Sequence, residues 1–291
     1  MNTARLRTVR DLLRFAITRF KQASLSFGHG THNARDEAVY LILHTLQLPL
    51  DQLEPFLEVP LTRKQITAVL KILRQRVTKK IPAAYLTHEA WLGDLRFYID
   101  QRVIVPRSFI AELLRTKLKP WIKDASAITA ALDLCTGSGC LAILMAQVFP
   151  NAAIDACDIS RKALAVARRN IADYGLQDRI KLIQSNLFKA LRGRRYDLIV
   201  ANPPYVSAQA MRILPAEFRH EPQLALDGGM DGLSYVRPIL QSAARHLREN
   251  GLLVVEIGHN RKTLERAFPK TEFTWPYTSA GDENVFLLKR H

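Results

Sequence analysis

Asn202, Pro203, Pro204 and Tyr205 carry the most specific chemistry in the sequence. Two successive prolines hold φ at about −65° and remove two backbone donors, which leaves the Pro203 carbonyl and the Asn202 side-chain oxygen free as acceptors. A pair of fixed acceptors suits an NH2 group. The nitrogen of a carboxamide or an exocyclic amine has its lone pair tied up in conjugation, so it attacks a methyl sulfonium poorly. Holding both of its hydrogens orients the nitrogen and offsets the positive charge that grows on it during transfer. Tyr205 offers an aromatic wall for a planar group. Taken alone, the four residues are explained equally well as a strand-ending turn.

A second constellation lies upstream. Asp133, Leu134 and Cys135 end an apolar strand, Thr136, Gly137, Ser138 and Gly139 make a glycine turn, and a helical stretch opens at Cys140. The two glycines permit a sharp turn and the close approach of a ligand, and Ala142 permits helix to pack on strand. Asp158 stands nineteen residues after Gly139, at the end of the next strand, where its carboxylate can accept from both hydroxyls of a ribose. This spacing implies an adenosine nucleoside and leaves a dinucleotide and S-adenosylmethionine as alternatives. The Asn202 to Tyr205 tetrapeptide selects the sulfonium. Asn186, after the third strand, is positioned for an adenine edge or for the surface of a loop.

These groups need a scaffold that brings strand ends together. Apolar strand candidates at 130–135, 152–157, 180–184, 197–201 and 252–257 alternate with helical stretches at 140–148, 160–173 and 231–248. Such alternation predicts a mostly parallel sheet with helices on both faces and its site at the carboxyl ends of the strands. Ahead of it the periodicity predicts helices near 3–22, 34–47 and 62–79. The last opens on a Thr62 and Gln65 capping box and shows an apolar stripe of Ile66, Val69, Leu70, Leu73 and Val77. A hairpin over about 86–105, turning at Gly93 and Asp94, links the two. The expected organisation is a small helical substrate-recognition domain over 1–85, a hairpin linker over 86–106 and a catalytic domain over 107–291.

Composition sets the outer limits. The chain has 291 residues, 48% hydrophobic, and a formal charge of +15, of which residues 1–85 hold +8. The excess predicts an acidic partner, nucleic acid or an anionic surface. Seven Lys or Arg and no acid lie between Arg63 and Lys80, a run that suits phosphates or a solvated helix face. No run of about 18 apolar residues argues for a membrane span. Cys135, Cys140 and Cys157 form no CxxC pair, so reduced thiols, a cytoplasmic setting and no metal are expected. His29 and His32 read as loop residues. The arginines of the first 22 residues have the bias of a mitochondrial presequence, but Leu6, Val9, Leu13, Ala16, Ile17 and Phe20 recur at helical spacing and fit a domain helix.

With these motifs in hand, the sequence resembles the amino-methyltransferases of planar NH2 groups, and among them the protein glutamine N5-methyltransferases. The resemblance spans nearly the whole chain, including the Val105, Pro106, Arg107 junction and the stretch from Glu221 to Leu233. Of two branches, one modifies peptide chain release factors and the other ribosomal large-subunit protein L-three. Gly28 to Gly30, Ala84 to Thr87, Cys135 to Cys140 and Arg219 to Pro222 favour the second. The resemblance implies a Rossmann-like class I fold that uses S-adenosylmethionine. It also implies that Cys135 to Gly139 line the cofactor, Asp158 holds the ribose, Asp133 helps anchor the amino-acid end, and Asn202 with Pro203 holds the glutamine amide. Asn186 departs from the family's usual Asp, and Arg107 is followed by Ser108, Phe109 and Ile110 rather than the release-factor run. Release-factor glutamine, adenine N6 of nucleic acid, and a noncatalytic RNA-binding assembly factor are the alternatives.

Overall fold

The computed structural model describes residues 6 to 290, so residues 3 to 5 of the first predicted helix lie outside the described residues. α1 (Val9–Gln22) starts on a reciprocal cap: the Thr8 hydroxyl accepts from Asp11 N, and the Asp11 carboxylate accepts from Thr8 N. α2 (Ala34–Leu46) is capped by Asn33, and α3 (Arg63–Lys79) by the Thr62 and Gln65 box that the sequence predicts. Leu12, Ala16 and Phe20 meet Leu41 and Ile42 of α2 and Val69 and Leu73 of α3 in one apolar core. Helical spacing puts each set on a single face.

α4 (Ala83–Thr87) leads into β1 (Glu89–Leu92) and β2 (Leu95–Tyr98), an antiparallel hairpin closed at Gly93 and Asp94. The hairpin is fastened to the second, larger unit. Ala90, Leu92, Leu95 and Phe97 point inward with period two and join the core of that unit. Asn170, buried in α7 (Arg161–Asp173), donates to the Tyr98 carbonyl at 3.0 Å and accepts from its N–H at 2.8 Å.

The second unit contains α5 (Ile110–Arg115), β3 (Ala130–Leu134), α6 (Cys140–Val148), β4 (Ala153–Asp158), α7, β5 (Ile180–Gln184) and β6 (Tyr196–Ala201). It continues through α8 (Ala208–Ile213), α9 (Val236–His246), β7 (Leu247–Glu256), α10 (Arg261–Ala267) and β8 (Val285–Lys289). The sheet order is β5-β4-β3-β6-β7-β8, parallel except for β8. Alternate residues serve opposite faces: Ala131, Leu198 and Val200 pack with α5, α6 and α7, while Leu132, Leu134, Ile199 and Ala201 pack with α9 and α10. β8 is additional to the five strands expected, because its short apolar run has no period of its own. α9 starts at Val236 rather than 231, since Asp231 accepts from Leu233 N in a turn and pairs with Arg237.

Candidate active site

The chain runs outward from β3 to β4 and β5, then crosses back to place β6 on the other side of β3. A crevice opens at the carboxyl ends where the order reverses. Leu134 pairs with Ala201 on one side and Cys157 on the other, so Cys135, Asn202 and Asp158 leave the sheet at one level. The three sequence motifs therefore converge. Cys135, Gly137, Asp158, Asn186, Asn202 and Pro204 line the cleft, with Val103, Ile104, Leu224, Ala225 and Tyr235 closing its outer side.

The glycine loop is held in the left-handed region at Cys135 (φ 60), Gly137 (φ 55) and Gly139 (φ 82). Cys135 bears that conformation without being glycine, which the sequence does not announce. A Cβ at Gly139 would sit 3.2 Å from the Ala167 Cβ, so the residue is kept small by the approach of α7. Asp133 lies beneath the loop: its Oδ2 accepts from Thr136 Oγ1 at 2.6 Å and from Ala142 N at 3.1 Å. Its Oδ1 is buried and without a partner, and burial pushes the carboxyl up to about 7. Asp158 accepts from Gly137 N at 3.0 Å and Ser160 N at 2.8 Å, while burial pushes its pKa upward against those bonds. A carboxylate has about four lone-pair sites, so Asp158 retains acceptors toward the cleft. An open glycine cradle, a carboxylate with spare acceptors and an orphaned buried oxygen fit a nucleoside carrying hydroxyl and ammonium donors.

Among the described residues, neither the Asn202 side chain nor the Pro203 carbonyl makes a hydrogen bond. Tyr205, expected as an aromatic wall, is placed behind the cleft rather than along it. Its hydroxyl donates to Glu256 Oε1 at 3.2 Å, its carbonyl accepts from Asn260 Nδ2 at 2.8 Å, and a Cβ on Gly258 would come within 2.7 Å of its ring. Glu256 also accepts from Ser108 Oγ at 2.6 Å and Phe109 N at 2.9 Å, and its burial pushes the carboxyl up to about 6. Thr136, Ser138, Gly139 and Pro203 are buried next to the cleft without lining it.

The outer wall is fixed by charges to which the sequence alone assigns no role. Glu221 takes two bonds from Arg107 at 2.5 and 2.6 Å and one from Val105 N at 3.0 Å, and it lies 3.7 Å from His29 Nε2. Burial would raise its pKa, yet Arg107 and His29 hold it down at about 2. The clamp ties residues just after Ile104 to residues just before Leu224, both on the cleft. Deeper in the junction, Arg76 of α3 binds Glu37 at 2.6 Å, Glu217 at 3.1 Å and the Ser26 carbonyl at 2.8 Å. His29, read as a loop residue, is 3% exposed and lies against Phe218.

The sheet with its antiparallel last strand, the glycine loop after β3, Asp158 after β4 and Asn202 after β6 define a Rossmann-like class I methyltransferase. A family model, the methyltransferase small domain, matches residues 112–229. The hMettl16 catalytic domain, solved in complex with MAT2A 3′UTR hairpin 6, shares the fold at 15% identity and a TM-score of 0.50 over 79% of this chain and 82% of that one. Over its whole length the chain is much more like a particular group of these proteins. The ribosomal protein uL3 glutamine methyltransferase of Neisseria meningitidis serogroup B is 57% identical over 98% of this chain and 94% of its own length. The protein of the same name from Burkholderia pseudomallei is 55% identical over 97% and 94%. The chain belongs to the ribosomal protein uL3 glutamine methyltransferase family. No helix among the described residues is long and apolar enough to cross a membrane.

Proposed function

We propose that this protein transfers a methyl group from S-adenosylmethionine to the side-chain amide nitrogen, N5, of a glutamine in ribosomal protein uL3. The observation that carries the reading is the register of Leu134 with Ala201, which sets Asn202 on the cleft beside the glycine loop, with Pro203 buried next to it. The substrate follows from the relatives that share more than half of the sequence. The cofactor, when bound, supplies a methyl group made electrophilic by its sulfonium. Asp158 would hold the ribose, the Cys135 to Gly139 backbone would cradle the chain that leads from it to the sulfur, Asn186 would meet the adenine amine, and Asp133 would compensate the amino-acid ammonium. Asn202 Oδ1 and the Pro203 carbonyl accept the two amide hydrogens and aim the nitrogen at the methyl carbon.

The cofactor, when bound, would give up its methyl group and keep the C–S bonding pair, and the amide nitrogen held by Asn202 and Pro203 would lose one proton to water. No side chain is assigned as base. Tyr205, locked by Glu256 and Gly258, fixes the carbonyl direction of the prolines before it. Residues 1–85 recognise the substrate, residues 86–106 link, and residues 107–291 hold the reaction. A protein of charge +15 and a basic ribosomal protein repel each other, so the encounter is placed in the cytoplasm on rRNA or a ribosome precursor particle, where phosphates screen both. Incubation with methyl-labelled cofactor, followed by separation of protein, RNA and DNA, tests this. Label on one uL3 glutamine is expected; label on adenine or on release factor would overturn it.

A further inference from the structure

A second concavity among the described residues is lined by helices of the first unit rather than by the strand ends. It is a groove of about 970 Å³ between α1 and α3. Its charged lining is all cationic: Arg19 from one helix, Lys71 and Arg74 from the other. Phe15, Leu70 and Val77 contribute to an apolar floor. Among the described residues none of the three cations forms an ion pair, whereas Arg76 on the same helix is spent on Glu37 and Glu217. At 100° per residue, Arg76 projects about 200° from Arg74, so the groove opens on the side of α3 turned away from the second unit. The one acid of α1, Asp11, is used in its own N-terminal cap, and α3 has none.

We propose that this groove binds single-stranded RNA, a reading that rests on the rRNA contact proposed above. Cations along both rims track a phosphate backbone, while the apolar floor, with the Phe15 ring in it, takes the faces of sugars and bases. A chain carrying +15 attracts a polyanion before it attracts a neutral helix. RNA held on this outer side leaves the catalytic cleft open to the protein substrate.

The test uses the full chain and a fluorescent single-stranded RNA of about 12 nucleotides, within the range that such grooves span. Arg19, Lys71 and Arg74 are all exposed, so the triple variant Arg19→Ala, Lys71→Ala, Arg74→Ala keeps its core. It is expected to bind the RNA at least tenfold more weakly at low salt. Its log–log salt slope should be shallower by about 2, three phosphate contacts at roughly 0.7 each. The variant's urea midpoint and its affinity for S-adenosylmethionine, whose cleft lies in the second unit, should equal those of the parent. RNA affinity within twofold of the parent, or an acidic amphipathic peptide bound in the groove where RNA is not, would overturn the proposal. Absence of uL3 methylation by parent and variant alike would instead sink the proposed reaction, and the RNA result would still be read.

Discussion

The junction between the two units and the cleft at the strand ends both bury carboxylates, and they treat them in opposite ways. At the junction each buried acid meets a cation: Glu37 and Glu217 share Arg76, and Glu221 is bound by Arg107. In the cleft, Asp133 and Asp158 meet only a hydroxyl and backbone N–H groups. The titration behaviour divides accordingly, with Glu221 held at about 2 and Asp133 pushed up to about 7. Fully paired charge is architecture: its partners are inside the protein and it fixes one arrangement of helices and loops. Carboxylates left short of donors are acceptors kept for a ligand that brings its own ammonium and hydroxyls.

The contrast breaks most visibly at Arg107. Arg107→Ala leaves Glu221 buried without its cation and is expected to cost about 3–5 kcal/mol, the range for splitting a buried pair, read from urea unfolding. A cost below about 1 kcal/mol would place the clamp at the surface in effect. pH sharpens the contrast next. Glu221 sits below its ordinary 4.5, so its stabilisation is present above that value and is lost as pH falls toward about 2. Asp133 sits above its ordinary 3.8, so the stability tied to its neutral form is present below that value and is lost as pH rises through about 7. Glu221→Gln should flatten the acid limb of a stability profile and Asp133→Asn the limb near neutrality. Identical limbs in both variants would refute the division.

Smaller effects are expected within the cleft. Asp158→Ala should weaken cofactor binding by about 1–3 kcal/mol, measured calorimetrically, and should lower stability by less than Arg107→Ala does, because the Gly137 and Ser160 N–H groups lose an acceptor but no buried ion pair is split. Cys135→Gly tests the loop itself. The left-handed residue costs about 1–2 kcal/mol as a non-glycine, and glycine returns part of that as unfolded-chain entropy, so stability should stay within about 1 kcal/mol. A larger loss would show that the thiol packs.

Legibility in the sequence follows the same line. Asp158, Asn202 and the glycine loop can be read because backbone chemistry fixes them: strand ends, a glycine turn and consecutive prolines are local features whose spacing survives folding. The sheet is legible for a like reason, since its buried strands and the helices between them each carry their own period. Glu221, Arg107, Glu256 and Arg76 cannot be read this way. Their meaning lies in partners 39 to 148 residues distant, and nothing local distinguishes a buried Arg76 from the exposed Arg74 two positions earlier. Tyr205 shows the same limit, for its type suits a cleft wall while its neighbours Gly258 and Glu256, remote in sequence, draw it behind one.

The most direct measurement is single-turnover methyl transfer to uL3 by Asn202→Ala, with cofactor affinity determined on the same protein. Removing one of two acceptors aimed at the amide is expected to slow transfer by about 10²–10³-fold, the size found when a single pre-placed polar group is lost, with cofactor affinity held within a few fold. Transfer within a few fold of the parent rate, or a loss explained wholly by weaker cofactor binding, would contradict a carboxamide gripped by Asn202 and the Pro203 carbonyl.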